Sequence, residues 1–86
     1  KEKSMGYNTI RLPRPGENEM IKDAATKVFA FVGIDLKTFN EMPNGGIMVK
    51  ARLTEAKRQT VASGLFDFGL VLANLGNGEW GFAVRV

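Results

Sequence analysis

The chain has no cysteine and no histidine, and holds three prolines, one tryptophan and one tyrosine among its 86 residues. Without cysteine there is no disulfide to staple the fold, no thiolate nucleophile and no sulfur ligand for a metal. Without histidine the commonest general base and the commonest metal ligand are also missing. No apolar run approaches the roughly 18 residues of a membrane-spanning helix, because charges or glycines interrupt each one. The opening KEKSMGYN is polar where a secretory signal is apolar. These absences set the expectations: a cytoplasmic protein with no cofactor, no metal, no membrane partner and no evident small-molecule substrate.

What is present belongs to one small domain spanning residues 1–86. Apolar residues make up 44% and charged residues 24%, the balance of an ordinary globular chain. Folding at this size buries roughly 60–65% of the extended surface, enough for one modest core. Residues 1–6 read as a flexible tail or a cloning remnant, with Met5 as a candidate native start. The net charge of +3 permits nucleic-acid binding without arguing for it.

Along the chain, Tyr7–Leu12 reads as a short strand stopped by Pro13 and Pro15. In ENEMIKDAATKVFAFVG, apolar Met20, Ile21, Ala24, Ala25, Val28, Phe29, Phe31 and Val32 share half of a helical wheel, opposite Glu19, Lys22, Asp23, Thr26 and Lys27. Gly33 followed by Ile34 is a glycine stop with its apolar contact. Asp35–Met42 reads as a short helix capped by Asp35 and ended by Pro43. Ile47–Leu53 alternates, with Ile47, Val49, Ala51 and Leu53 inward and Met48, Lys50 and Arg52 outward, as in a half-buried strand. TEAKRQTVASG reads as a short helix capped by Thr54 and stopped at Gly64. A rival reading carries it on through Leu65, Phe68 and Leu72, against the cost of about 1 kcal/mol each for Gly64 and Gly69 in a helix interior.

Near the end, GNGEWG matches the spacing G-x-G-x-x-G of phosphate-cradling loops. A dinucleotide fingerprint needs a strand before it and a helix opening from it. Only five residues follow Gly81, and they alternate like a strand. Asn77-Gly78 is instead a strong hairpin turn. A two-residue turn there pairs Leu75 with Trp80, Ala73 with Phe82, Val71 with Val84 and Gly69 with Val86, so that one face of the ribbon is wholly apolar or glycine. The glycines are expected to build the turn and to leave no pocket for a phosphate.

The expected architecture is α+β: a small, mostly antiparallel sheet of about four strands with a C-terminal hairpin, one long amphipathic helix on one face, and one or two short helices. Candidate chemistry is thin. Ser63 and Lys57, six apart on a helix, fall on different faces. Asp67 reads as a solvated carboxylate, Trp80 as core, and Asp23, Asp35 and Glu41 lack calcium-loop spacing. What stands out is a surface. Met48, Lys50, Arg52, Leu70, Leu72 and Arg85 are expected on the sheet face away from the long helix, as a site for a protein partner or a second copy. The expected function is therefore non-enzymatic protein binding, with accessory, inhibitory or self-associating roles. The alternative is nucleic-acid contact through Arg11, Arg14, Lys50, Arg52, Lys57 and Arg58. Aromatic interleaving for base stacking is lacking, with Tyr7 alone as a free candidate.

Overall fold

The computed structural model describes residues 9–43 and 45–86. Residues 1–6, expected as a tail, and Tyr7 and Asn8, expected to open the first strand, lie outside the described residues. In order the elements are β1 (Ile10–Arg11), a 3-10 turn (Pro15–Glu17), α1 (Asn18–Phe31), β2 (Asn40–Glu41), β3 (Ile47–Lys50), α2 (Glu55–Asp67), β4 (Leu70–Gly76) and β5 (Glu79–Arg85). The fold is α+β, with a five-stranded sheet in which every pairing is antiparallel.

β5 is the organising strand. On one side it pairs with β4; on the other, its first half pairs with β3 (Val49 opposite Trp80) and its end with β1 (Ile10 opposite Arg85). β2 completes the sheet beyond β3. Since β3 and β4 both oppose β5, they run parallel to each other, and a parallel pair needs a crossover connection rather than a tight turn. α2 is that crossover.

α1 forms where the apolar periodicity places it, and buries Ile21, Ala24, Ala25, Val28 and Phe29. Its end is a glycine stop: the Gly33 amide donates to Ala30 O (3.0 Å) and the Ile34 amide to Phe29 O (3.0 Å). Met20 and Phe31, expected on the buried half, are exposed, Phe31 by 82%. At the other end Asn18 is buried. Its Oδ1 accepts from the Gly46 amide at 3.0 Å and its Nδ2 donates to Glu41 at 3.3 Å, which ties the β2–β3 connection to the start of α1.

Three local expectations are corrected. Asp35–Met42 is not a helix but an extended segment ending in β2. Ile34, Leu36 and Phe39 turn inward against the core while Asp35, Lys37 and Thr38 face out, a strand-like alternation. The β3 strand ends at Lys50 rather than Leu53, and Arg52 lies on the segment leading to α2. α2 does not stop at Gly64: it runs thirteen residues to Asp67, with Thr54 as its cap, so it is no short helix.

The hairpin turn falls at Asn77-Gly78 as expected, both residues having positive φ (57° and 76°), the geometry of a type I′ turn. The register above it differs. A bulge between Asn74 and Gly76 shifts β4 by one, pairing Leu70 with Val84, Leu72 with Phe82, Ala73 with Gly81 and Asn74 with Trp80. Asn74 Oδ1 takes the Gly76 amide at 2.9 Å, a local bond that competes with the ladder. A one-residue slip turns a strand over. Leu70 and Leu72 therefore face the helices, and Val71, Ala73 and Leu75 face away. The core joins Ile21, Val28 and Phe29 of α1, Val61 and Leu65 of α2, and Ile47, Val49, Leu70, Trp80 and Phe82 of the sheet, all on one sheet face.

Candidate functional site

Because α1 and α2 pack on the same face, the other face has neither helix over it. Strand alternation and register assign to it Ile10, Met48, Lys50, Val71, Ala73, Leu75, Glu79, Gly81, Ala83 and Arg85. Its centre is low and small-chained: Ala83 is 7% exposed, and Leu75 lies so close over Gly81 that a Cβ there would meet Leu75 Cδ1 at 3.2 Å. Its margins carry exposed apolar area from Ile10 (52%) and Leu75 (48%).

Of the six residues expected to line a partner surface, Met48, Lys50 and Arg85 lie on this face. Leu70 and Leu72 do not, since the bulge turns them inward: Leu70 is fully buried and Leu72 is partly buried against the core. Arg52 lies beyond the strand. Val71, Ala73 and Leu75 take the places expected for the two leucines. Only the Asn74-x-Gly76 spacing hinted at the slip, through the tendency of asparagine to bond the backbone two residues on. Arg85 lies over the Phe66 ring, 4.2 Å from its centroid, and donates to Phe66 O at 3.3 Å.

The other cations are divided between engaged and free. Arg11 grips Glu17 with both terminal nitrogens (2.9 and 2.6 Å), and Glu17 also accepts from the Arg14 amide at 2.8 Å. Arg11 and then the Arg14 amide pull the Glu17 carboxyl down to about 2. Arg58 holds Glu55 in the same two-pronged way (3.1 and 2.7 Å), and with Gln59 lowers it to about 2. Lys22 bridges Glu19 and Glu41, and depresses the latter. Lys37 sits 3.4 Å from Asp35. The side chains of Arg14, Lys27, Lys50, Arg52 and Lys57 join no ion pair among the described residues. The six cations of the nucleic-acid alternative thus do not act as one free set: Arg11 and Arg58 are held by carboxylates.

Beside the Asn77-Gly78 turn there is an open cleft of about 710 Å³, lined by Lys50, Ala51, Arg52, Leu53, Asn74, Gly76, Asn77, Gly78 and Trp80. The glycines build the hairpin turn, and the cleft lies beside it. Two hydrogen bonds tie the walls together: Trp80 Nε1 donates to Ala51 O at 2.9 Å, and the Ala51 amide to Gly78 O at 2.9 Å. Trp80 is core, though its neighbour across the ladder is Asn74 rather than Leu75. A second cleft of about 440 Å³ lies between the 34–38 segment and β3, with Asp35, Lys37, Lys50 and Glu79 of mixed charge around it.

Asp67 is exposed at the end of α2. Ser63 and Lys57 are both exposed, and no hydrogen bond joins them among the described residues. No cluster of three or more acidic groups able to hold a metal occurs among the described residues, and none of their helices is long and apolar enough to cross a membrane. No protein-family model matches the chain, no curated protein is similar to it in sequence, and no solved structure is similar to it in fold.

Proposed function

We propose that this chain is a non-enzymatic binding module, set in the cytoplasm, that works through protein–protein contact on the bare face of its sheet. The observation that carries the reading is the placement of both helices on one side. That leaves β4 and β5 with a second face of Val71, Ala73, Leu75, Gly81 and Ala83 that neither α1 nor α2 covers. A flat apolar centre with a charged margin has the anatomy of an interface, and small central side chains allow close approach of a partner. The margin holds two cations, Lys50 and Arg85, against one carboxylate, Glu79, and the whole chain carries +3. Charge complementarity therefore favours a different protein, apolar at its centre and acidic at its rim, over a second copy of this chain.

The test pairs native mass with capture. Light scattering on the purified protein is expected to give a monomer. Pull-down from the native host is expected to retain a partner on the wild type that Ala73→Lys does not retain. Ala73 is half-buried outside the helix-covered core, so the variant should melt within a few degrees of the wild type. A stable dimer that Ala73→Lys dissociates would replace the acidic partner by a second copy. A monomer whose captured proteins are the same with and without the substitution would overturn the reading.

A further inference from the structure

We propose that the cleft between residues 50–53 and the β4–β5 turn is a binding site for a phosphate group, carried by a free nucleotide or by a single nucleic-acid strand. This site adjoins the apolar sheet face and shares Lys50 with its margin, while Arg52, Asn74 and the turn residues lie outside that face. Among the described residues its charged lining is Lys50 and Arg52, with no carboxylate. Elsewhere on the molecule Arg11, Lys22, Lys37 and Arg58 are neutralised by Glu17, Glu19 and Glu41, Asp35 and Glu55. Lys50 and Arg52, like Arg14, Lys27 and Lys57, join no ion pair among the described residues, and Glu79, which faces Lys50 across the ladder, lies outside the cleft lining.

The rest of the lining supplies neutral donors. The backbone amides of Asn77 and Gly78, at the tip of the turn, donate to no group among the described residues. Asn74 spends its Oδ1 on the Gly76 amide, which leaves its side-chain NH2 as a donor. Arginine grips phosphate oxygens in a two-pronged fork, and lysine adds a compact charge. The walls are joined by the Trp80–Ala51 and Ala51–Gly78 bonds, so the cleft exists without a ligand to form it. At about 710 Å³ it falls in the range of sites for one small ligand. Among the described residues the lining offers no aromatic face for stacking, since Trp80 is 7% exposed and its indole nitrogen is engaged. Recognition therefore reads phosphate and ignores the base.

The probes are a fluorescein-labelled single-stranded oligothymidylate, an oligoadenylate of the same length, ATP and pyrophosphate. Anisotropy at low salt should show saturable binding of both oligonucleotides with equal affinity. Two phosphate contacts to a single strand predict a log–log salt slope of about −1.4, or an affinity loss of about 25-fold for a tenfold rise in salt. Lys50→Ala and Arg52→Ala should each halve that slope, while Lys27→Ala, which removes an exposed cation on α1, should leave it unchanged. Displacement of the strand by ATP and pyrophosphate would show that the site takes an isolated phosphate group. Binding of the strands without displacement would assign it to the polymer backbone. Binding of ATP or pyrophosphate alone would assign it to the free ligand, checked by loss in Arg52→Ala. The proposal falls if no probe binds at low salt, or if Lys27→Ala weakens binding as much as Arg52→Ala. Thermal melting of each variant confirms that both cations, being exposed, were removed without unfolding the protein.

Discussion

Gly64 lies inside α2, where glycine costs about 1 kcal/mol relative to alanine, and the reason is Val28 across the helix pair. A Cβ at position 64 would meet Val28 Cγ1 at 2.9 Å and Cγ2 at 3.3 Å. Val28 is fully buried in α1, and a β-branched side chain in a helix has one strongly preferred rotamer, so it has little room to yield. Overpacking of this kind costs about 1–3 kcal/mol, more than the helix propensity gained. Gly64→Ala is expected to lower stability by up to about 2 kcal/mol in urea denaturation. In a Val28→Ala background the sign should reverse, to a gain of about 1 kcal/mol.

Glu17 gives a second residue-scale test. Its folded-state pKa, held down to about 2 by Arg11 and the Arg14 amide, lies below the ordinary value of 4.5. A depressed carboxyl contributes stability that is fully present above the unfolded pKa and lost as pH falls through the folded one. The stability gap between wild type and Glu17→Gln should therefore be constant above about pH 5 and close between pH 4.5 and 2. Chemical denaturation at several pH values measures it; a gap that widens on acidification would contradict the Arg11–Glu17 pairing. Trp80→Phe removes the indole donor to Ala51 O, and the partly buried carbonyl left behind predicts a loss of about 1–3 kcal/mol.

At the scale of elements, the β4 bulge decides which side chains of the hairpin matter for folding. With Leu70 opposite Val84 and facing the helices, Leu70→Ala should cost about 2–5 kcal/mol. Val71→Ala, on the bare face, should cost much less. Without the bulge the order of the two would be reversed, so the pair of melting curves reads the register directly. The same element shows what was legible in the sequence. The turn was, because Asn-Gly suits left-handed backbone at both central positions. The face of β4 was not, because both Leu70–Leu72 and Val71–Ala73–Leu75 are apolar sets, and alternation cannot choose between two apolar faces. α1 was legible from its period and its glycine stop. The end of α2 was misread because Gly64 serves close packing between helices, a tertiary need with no local mark, and because a helix with a weak apolar stripe shows little period. Asp35–Met42 reads as a helix because Asp35 and Pro43 mimic a cap and a stop, while the inward set that makes it extended, Ile34, Leu36 and Phe39, is too short and irregular to show a period of two. Of the residues expected on the partner surface, Met48, Lys50 and Arg85 have the sheet face that strand parity gives them, whereas the cleft depends on residue 51 bonding the turn at 78, a contact 27 residues long that no pattern announces.

For the molecule as a whole, the sheet has one strand on which all else depends. β5 is bonded along one side to β4 and along the other to β3 and β1, and carries Trp80 and Phe82 into the core. β1 and β2 are each two residues long and hold on by a single short ladder. Local opening free energies run from near zero at weakly held segments up to the global value at those whose exposure requires unfolding. Native-state hydrogen exchange should therefore place the amides of β5 at the global limit, with Val49 of β3 close behind, and those of Asn40 and Glu41 far below it. Because Asn18 and Lys22 fasten Glu41 to α1, removing the Asn18 side chain with Asn18→Ala should speed exchange in β2 and at Gly46 while leaving β5 at the limit set by its own, slightly lowered, global stability. Protection in β5 no greater than in β2 would mean that the sheet is not built around its last strand. The bare face that strand presents would then lose the rigid support a binding surface needs.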